Sequence, residues 1–594
     1  MKINCSKGLL HGLLSALILL GAPLTRAALY QWSDDPGYKN ARNYLWIPED
    51  CKRIRGLIYV IKNLNEGFMA EDPLIREVCR RQRLGIAYIS QDPRSRGAFT
   101  ENRVFYGYTG WNASKELRKE YEEKQAALKK TDSQVPPEEK EKIRKELNAL
   151  DTAFRGEAGR NFQNELTRLA EVSGYPEIAK APVFIISHSM GGLPAWFMPF
   201  YLPDRVWGSI PYKTGARGNP PPDLPMARIE NIPILYMNQE PIPSERVKSS
   251  GTGGLDGRKA ENNYLVGRVV DWGGLHFDYN EDLVRIVAMF IDKAAQRRLP
   301  DEIPTDGSLP KLKEIKPESG WLASAIDDSI PMEMAPEPEF RGDKTKAFWY
   351  LDKEMAEAAV NHLLTERSKK PQSLGILANG RSVEPNVAHW GELVATANEN
   401  SPDPEGLSVK IEGVFLPDRK VGQERTPEPT GHGDPSLIEV ALTGASSAVK
   451  TGKDTFQPLS WNSEGFPNNW LVVRHPGDKE YARSTYQISL NAPVTCFKGQ
   501  EQTIQFDPIP DVKAGTEKLV LKAESSIPTM KVSFHVISGP AELVDGNTLR
   551  FTPIPPGAKY PMKVIVMAYQ LGRAKEPLVK EAPLVVREFS ITKP

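Results

Sequence analysis

Residues 182–192 read Pro182-Val183-Phe184-Ile185-Ile186-Ser187-His188-Ser189-Met190-Gly191-Gly192, an apolar run that breaks abruptly into small and polar residues. Val183 to Ile186 is continuously apolar, as a strand covered on both faces must be. A serine directly after such a strand and before a helix can occupy the sharp, strained turn that raises its hydroxyl above a parallel sheet. The strand and helix backbones nearly touch at that turn, so the positions two before and two after the serine must be small. Gly191 meets this demand; Ser187 meets it too, although it stands where glycine is the usual residue. A helix beginning at Met190 would aim its free N–H groups at a developing oxyanion.

The same rhythm extends outward. Tyr44–Ile47, Gly56–Ile61 (GLIYVI), Gly85–Ser90 (GIAYIS), Val206–Pro211, Ile232–Met237 (IPILYM) and Val266–Trp272 read as further strands. Asp72-Pro73 opens a helix with Leu74, Ile75 and Val78 on one side, and a last helix runs from Glu281 to about Ala295. Strands alternating with helices predict a doubly wound, mostly parallel α/β sheet with right-handed crossovers over 28–300. Between about 112 and 170 the chain is instead highly charged and helical in period. Leu117, Tyr121 and Leu128 mark one face, Ile143, Leu147, Leu150 and Phe154 another, and Pro136-Pro137 separates them. This helical insertion is either a solvated hairpin or a cap over the site.

A serine hydroxyl is a weak nucleophile until a base takes its proton. The base is expected on a loop after the last strand, where VVDWGGLHFDYN supplies His276 behind Gly273-Gly274. His188 should point away from the nucleophile into the turn. The chain order nucleophile, acid, base places a carboxylate between Ser189 and His276. Past IPILYM the sequence is Asn238-Gln239-Glu240-Pro241, and Glu240 is the first carboxylate; Asp223, Glu245, Asp256 and Asp271 are its rivals. The oxyanion donors are expected at the N–H of Met190 and in the loop after GLIYVI, near Asn63 and Leu64.

The strand order, the elbow at Ser189 and the Gly-Leu-His at His276 resemble the α/β-hydrolase superfamily over about residues 40–300. The wider layout is similar to large secreted bacterial hydrolases with C-terminal β modules, some of them polysaccharide esterases. The resemblance implies that Ser189, His276 and Glu240 hydrolyse an ester substrate, acylated polysaccharide among the candidates, through an acyl-enzyme. No metal or organic cofactor is implied. A peptidase of the same fold, and a glycan- or surface-binding protein with a vestigial hydrolase domain, stay open.

The rest of the 594 residues sets the context. Lys2 and Lys7 precede the mostly apolar run Leu9–Ala22, and Leu24-Thr25-Arg26-Ala27 offers a cleavage site, so 1–27 reads as a signal peptide. The run is shorter than the ~20 residues a spanning helix needs, which predicts a secreted or periplasmic protein with no stable membrane span. Lys+Arg and Asp+Glu both total 76, giving a formal net charge of zero and no long-range pull on nucleic acid. Residues 301–345 are rich in proline and acidic side chains and read as a linker. Phe348-Trp349-Tyr350 then leads into an amphipathic helix ending near Ser368, which opens a β-rich module over 346–498, with strands at Leu407–Ile411, Ile438–Leu442, Trp470–Arg474 and Tyr486–Leu490. Over 499–594, seven short strands and a hairpin turn at Asp545-Gly546-Asn547 predict an immunoglobulin-like sandwich, the second all-β module. Cys51 and Cys79 could be bridged in an oxidising compartment, or Cys79 could be a buried apolar residue. The scattered histidines and remaining Cys496 lack metal-ligand spacing. The oligomeric state is left open.

Overall fold

A computed structural model describes residues 30–37, 40–61, 66–94, 119–120, 123–124, 136–189, 193–214, 226–239, 264–324, 333–382, 401–421, 424–443, 448–459, 470–490 and 498–594. The expected signal peptide, most of the first half of the helical insertion, and Cys496 lie outside the described residues.

The apolar runs form one eight-stranded sheet. Its strands are β1 (Trp32–Asp34), β2 (Ala41–Trp46), β3 (Gly56–Ile61), β4 (Leu84–Gln91), β5 (Val183–His188), β6 (Val206–Tyr212), β7 (Ile234–Gln239) and β8 (Val266–Asp271), in the order β1-β2-β4-β3-β5-β6-β7-β8. From β4 to β8 every neighbouring pair is parallel, whereas β1–β2 and β2–β4 are antiparallel. This mixed sheet with helices on both faces fits the α/β-hydrolase expectation. The antiparallel edge and the short β1 were not expected.

Strand alternation explains why these runs are apolar throughout. In β3, Ile58 and Val60 join one core while Leu57, Tyr59 and Ile61 join the core on the opposite face. The first core is covered by α1 (Glu66–Glu71), α2 (Pro73–Gln82) and α5 (Glu281–Arg298); the second by α3 (Pro137–Ser173) and α4 (Leu193–Tyr201). Asp72 caps α2 by accepting from the Leu74 and Ile75 N–H groups, with Pro73 in the first turn where its missing donor costs nothing. Helix α3 is the greater part of the helical insertion among the described residues. It packs Ala158, Phe162, Leu166 and Leu169 against the sheet, and a left-handed Gly174 ends it. Cys51 and Cys79 are both free thiols and belong to opposite cores, with the sheet between them.

Residues 301–345, expected as a linker, carry more structure than their composition suggests. β9 (Trp321–Ser324) pairs with β10 (Met334–Pro336) and β11 (Ala347–Tyr350) in a small antiparallel sheet. Leu322, Ala323, Phe340 and the β11 side chains share the core of the large sheet. Helix α6 (Lys353–Arg367) follows, capped by Asp352, and also packs there.

The C-terminal half adds further β-sheets. In the first module a five-stranded sheet, built on Leu374–Ala378 and Val409–Phe415, faces a three-stranded one containing Glu439–Leu442, Trp470–His475 and Ser484–Ser489. In the second, Ser533–Ser538, Met562–Tyr569 and Val585–Thr592 pair antiparallel. Asp545 and Gly546 take positive φ in the tight turn between Ala541–Val544 and Thr548–Phe551. Both modules are tied to the α/β sheet by buried contacts; Ser33 and Ser538, for instance, share a 2.6 Å hydrogen bond.

Candidate active site

Ser189 follows β5 at the carboxyl edge of the sheet with φ +59°, a left-handed conformation that costs a non-glycine residue free energy. Two anchors hold the strand end that leads into it. The Ser187 hydroxyl accepts a hydrogen bond from the Ala195 N–H at 3.1 Å, one of the donors left free in the first turn of α4. This accounts for serine where glycine is usual: the hydroxyl is small enough for the close approach and satisfies the helix end as well. The His188 N–H donates to the buried Glu66 carboxylate at 2.6 Å.

His276 lies in the loop between β8 and α5, with its Nε2 2.7 Å from the Ser189 Oγ. Its Nδ1 is 3.0 Å from the Oε1 of Gln239, the last residue of β7. An amide oxygen only accepts, so the imidazole carries its proton on Nδ1 and offers the Nε2 lone pair to the serine hydroxyl. Both Ser189 and His276 are half-buried and can be reached from solvent. The structure thus brings together two of the expected residues, Ser189 and His276. Glu240, Met190, Asn63 and Leu64 lie outside the described residues, as do Asp223, Glu245 and Asp256.

Asp271, the one described rival for the acid, is engaged elsewhere. Its carboxylate accepts from Lys213 Nζ at 2.8 Å, Arg483 Nη1 at 3.1 Å, and His362 Nε2 and Asn280 Nδ2 each at 3.3 Å. The side chains of Lys213 and Asp271 are 0% and 1% exposed, so this is a fully desolvated ion pair that needs every one of those partners. Burial alone would raise the Asp271 pKa; the Lys213 ammonium, the His362 hydrogen bond and Arg483 outweigh it and hold the carboxyl far below its usual range.

The same lysine staples the loop that carries His276. Lys213 Nζ donates to the carbonyls of Leu275 at 2.5 Å and Asp278 at 2.8 Å, on either side of His276. The His276 carbonyl faces the His188 Nε2 at 2.8 Å, so His188 supports the backbone of the other histidine. Burial, and to a lesser degree the His276 ring, push the His188 pKa well down, which keeps it neutral. For His276, burial and then the Lys213 charge push the pKa down to about 3. Sequence reasoning missed Gln239, Lys213 and the supporting role of His188. Only Gln239 left a usable signal, being adjacent to the expected acid at the same strand end.

Neither a family model nor a curated protein matches the chain. Among solved structures it is similar to a thermostable esterase at 16% identity and a TM-score of 0.23, over 41% of this chain and 54% of that one. It is similar to a Bacillus cereus carboxylesterase at 13% identity and a TM-score of 0.25, over 43% and 94% of the two chains. A Staphylococcus aureus S-formylglutathione hydrolase gives 11% identity and a TM-score of 0.24, over 43% and 92%.

Proposed function

We propose that the protein is a serine hydrolase that cleaves carboxylic esters through an acyl-enzyme. The observation that carries this reading is the 2.7 Å approach of His276 Nε2 to the Ser189 hydroxyl, made by a serine in the left-handed conformation at the carboxyl edge of the sheet. Ser189 attacks the ester carbonyl while His276 takes its proton. The imidazolium then protonates the departing alcohol as the tetrahedral adduct collapses to an acyl-serine. Water, deprotonated by the same imidazole, releases the acid and regenerates Ser189. N–H groups at Met190 and in the Asn63–Leu64 loop are the proposed oxyanion donors, and Glu240 or Gln239 the partner of the imidazole.

We take the substrate to be extracellular or periplasmic, with an acylated polysaccharide as the first class to try, and read 499–594 as an immunoglobulin-like sandwich. The test is a panel of esters of increasing acyl length, run on the wild type and Ser189→Ala together. Hydrolysis by the wild type that disappears in the variant supports the reading. An inert wild type, or a variant with an unchanged rate, removes it.

A further inference from the structure

The segment carrying His276 is held from two directions, and only one of them is the α/β sheet. On the sheet side, Lys213 and His188 bind the carbonyls of Leu275, His276 and Asp278. On the other side stands the hairpin formed by Trp470–His475 and Ser484–Ser489, whose strands pair antiparallel. Gln487 Oε1 accepts from the Phe277 N–H at 3.1 Å, across 210 residues of sequence. Thr485 Oγ1 donates to the Asp278 carboxylate at 3.0 Å. The Phe277 ring stacks on Trp470 with centroids 3.8 Å apart, and together with Val472 these rings form a small apolar cluster of their own.

At the root of the loop the two segments meet backbone to backbone. Gly273 has φ +77° and no room for a β-carbon, which would run into the main chain of Arg483. The Arg483 side chain then reaches Asp271.

We infer that this hairpin is part of the active site, with Gln487, Thr485 and Trp470 acting as positioning residues for His276. The inference rests on the ester-hydrolase reading and deepens it, since it gives the first C-terminal module a task at the site. Apolar packing alone would suffice to attach a module to a sheet. Here the polar contacts converge on the two residues that directly follow the imidazole. Fixing the Phe277 N–H and the Asp278 carboxylate fixes the peptide planes from which the His276 side chain departs. A general base must be held within a fraction of an ångström to work, and a 1 Å displacement costs about a hundredfold in rate.

The test uses the full chain with Gln487→Ala, Gln487→Glu and Thr485→Val. Three readouts are taken: kcat against KM on the best ester, the rate of fluorophosphonate labelling of Ser189, and the ring-carbon NMR signal of His276 in histidine-labelled protein. Gln487→Ala should lower kcat and the labelling rate together by about tenfold or more, leave KM within about twofold, and shift the His276 signal. Gln487→Glu keeps the acceptor and should restore all three. Thr485→Val, nearly isosteric, should act in the same direction and decides the matter should Gln487→Ala fail to fold. Wild-type kcat, labelling and His276 signal in Gln487→Ala or, where that variant does not fold, in Thr485→Val, would overturn the inference. A wild type inert to both esters and fluorophosphonate, with the His276 signal still moved by Gln487→Ala, would instead refute the ester-hydrolase reading and retain the clamp.

Discussion

Gln239→Glu places a carboxylate where the neutral amide oxygen stands 3.0 Å from His276 Nδ1. With charge centres about 4 Å apart and an effective dielectric near 20, a full negative charge stabilises the imidazolium by about 4 kcal/mol. At 1.36 kcal/mol per pKa unit that is about three units, and partial solvent access reduces it to roughly two. The imidazole starts from a pKa of about 3, so the variant should titrate at about 5 to 6. His276 works as a base only when neutral. The wild type should therefore keep its kcat/KM plateau well below pH 6, and the acid limb should move up by roughly two units in the variant. The imidazolium formed in the transition state gains the same partner, so the plateau rate should rise about tenfold or more. Initial rates of p-nitrophenyl acetate hydrolysis between about pH 3 and 9, read where phenol and phenolate absorb equally, measure both effects. A wild-type limb at about pH 6 to 7 that Gln239→Glu leaves in place would show that Gln239 does not face the imidazole in solution. Such a limb, if Glu240→Gln moved it, would make Glu240 the partner of the imidazole.

Two further predictions concern the buried charges. Lys213→Met removes one of the two cations paired with the Asp271 carboxylate, leaving Arg483, and strips donors from Leu275 and Asp278; urea unfolding should show a loss of about 3–5 kcal/mol, recovered in part by adding Asp271→Asn. Burial depresses the folded-state pKa of both His188 and His276 below the ordinary histidine value. The unfolded chain therefore binds more protons below about pH 6.5, and the stability these two groups contribute above that pH should be lost progressively as the pH falls toward 3. The denaturation midpoint followed against pH in the wild type and in His188→Gln checks this, and an equal acid loss in both would count against the His188 contribution.

The apolar strands were legible because a parallel sheet covered on both faces needs side chains such as Ile58 and Leu57 on alternating sides. The pairing of Ser189 with His276 was legible for a related reason: each follows such a strand and is set off by small residues. What remained hidden depends on contacts between distant residues. β1 has three residues and no apolar pattern, and the antiparallel run of β2 is set by its partners. The segment 301–345 reads as a linker because proline and charge dominate, yet Ile303, Ile315, Leu322 and Phe340 are buried in it. The partner of the imidazole turns on a single position. In β7 the side chain that meets His276 is that of Gln239, one position before the expected carboxylate Glu240, which lies outside the described residues. The Gln487 contact joins residues too far apart for any local pattern to reveal.

Fluorophosphonate labelling followed by peptide mass mapping tests whether His276 activates Ser189. A single adduct on Ser189 is expected, absent in Ser189→Ala and formed roughly a thousandfold more slowly in His276→Ala. No adduct on the wild type, an adduct on another residue, or a labelling rate indifferent to His276 would contradict it.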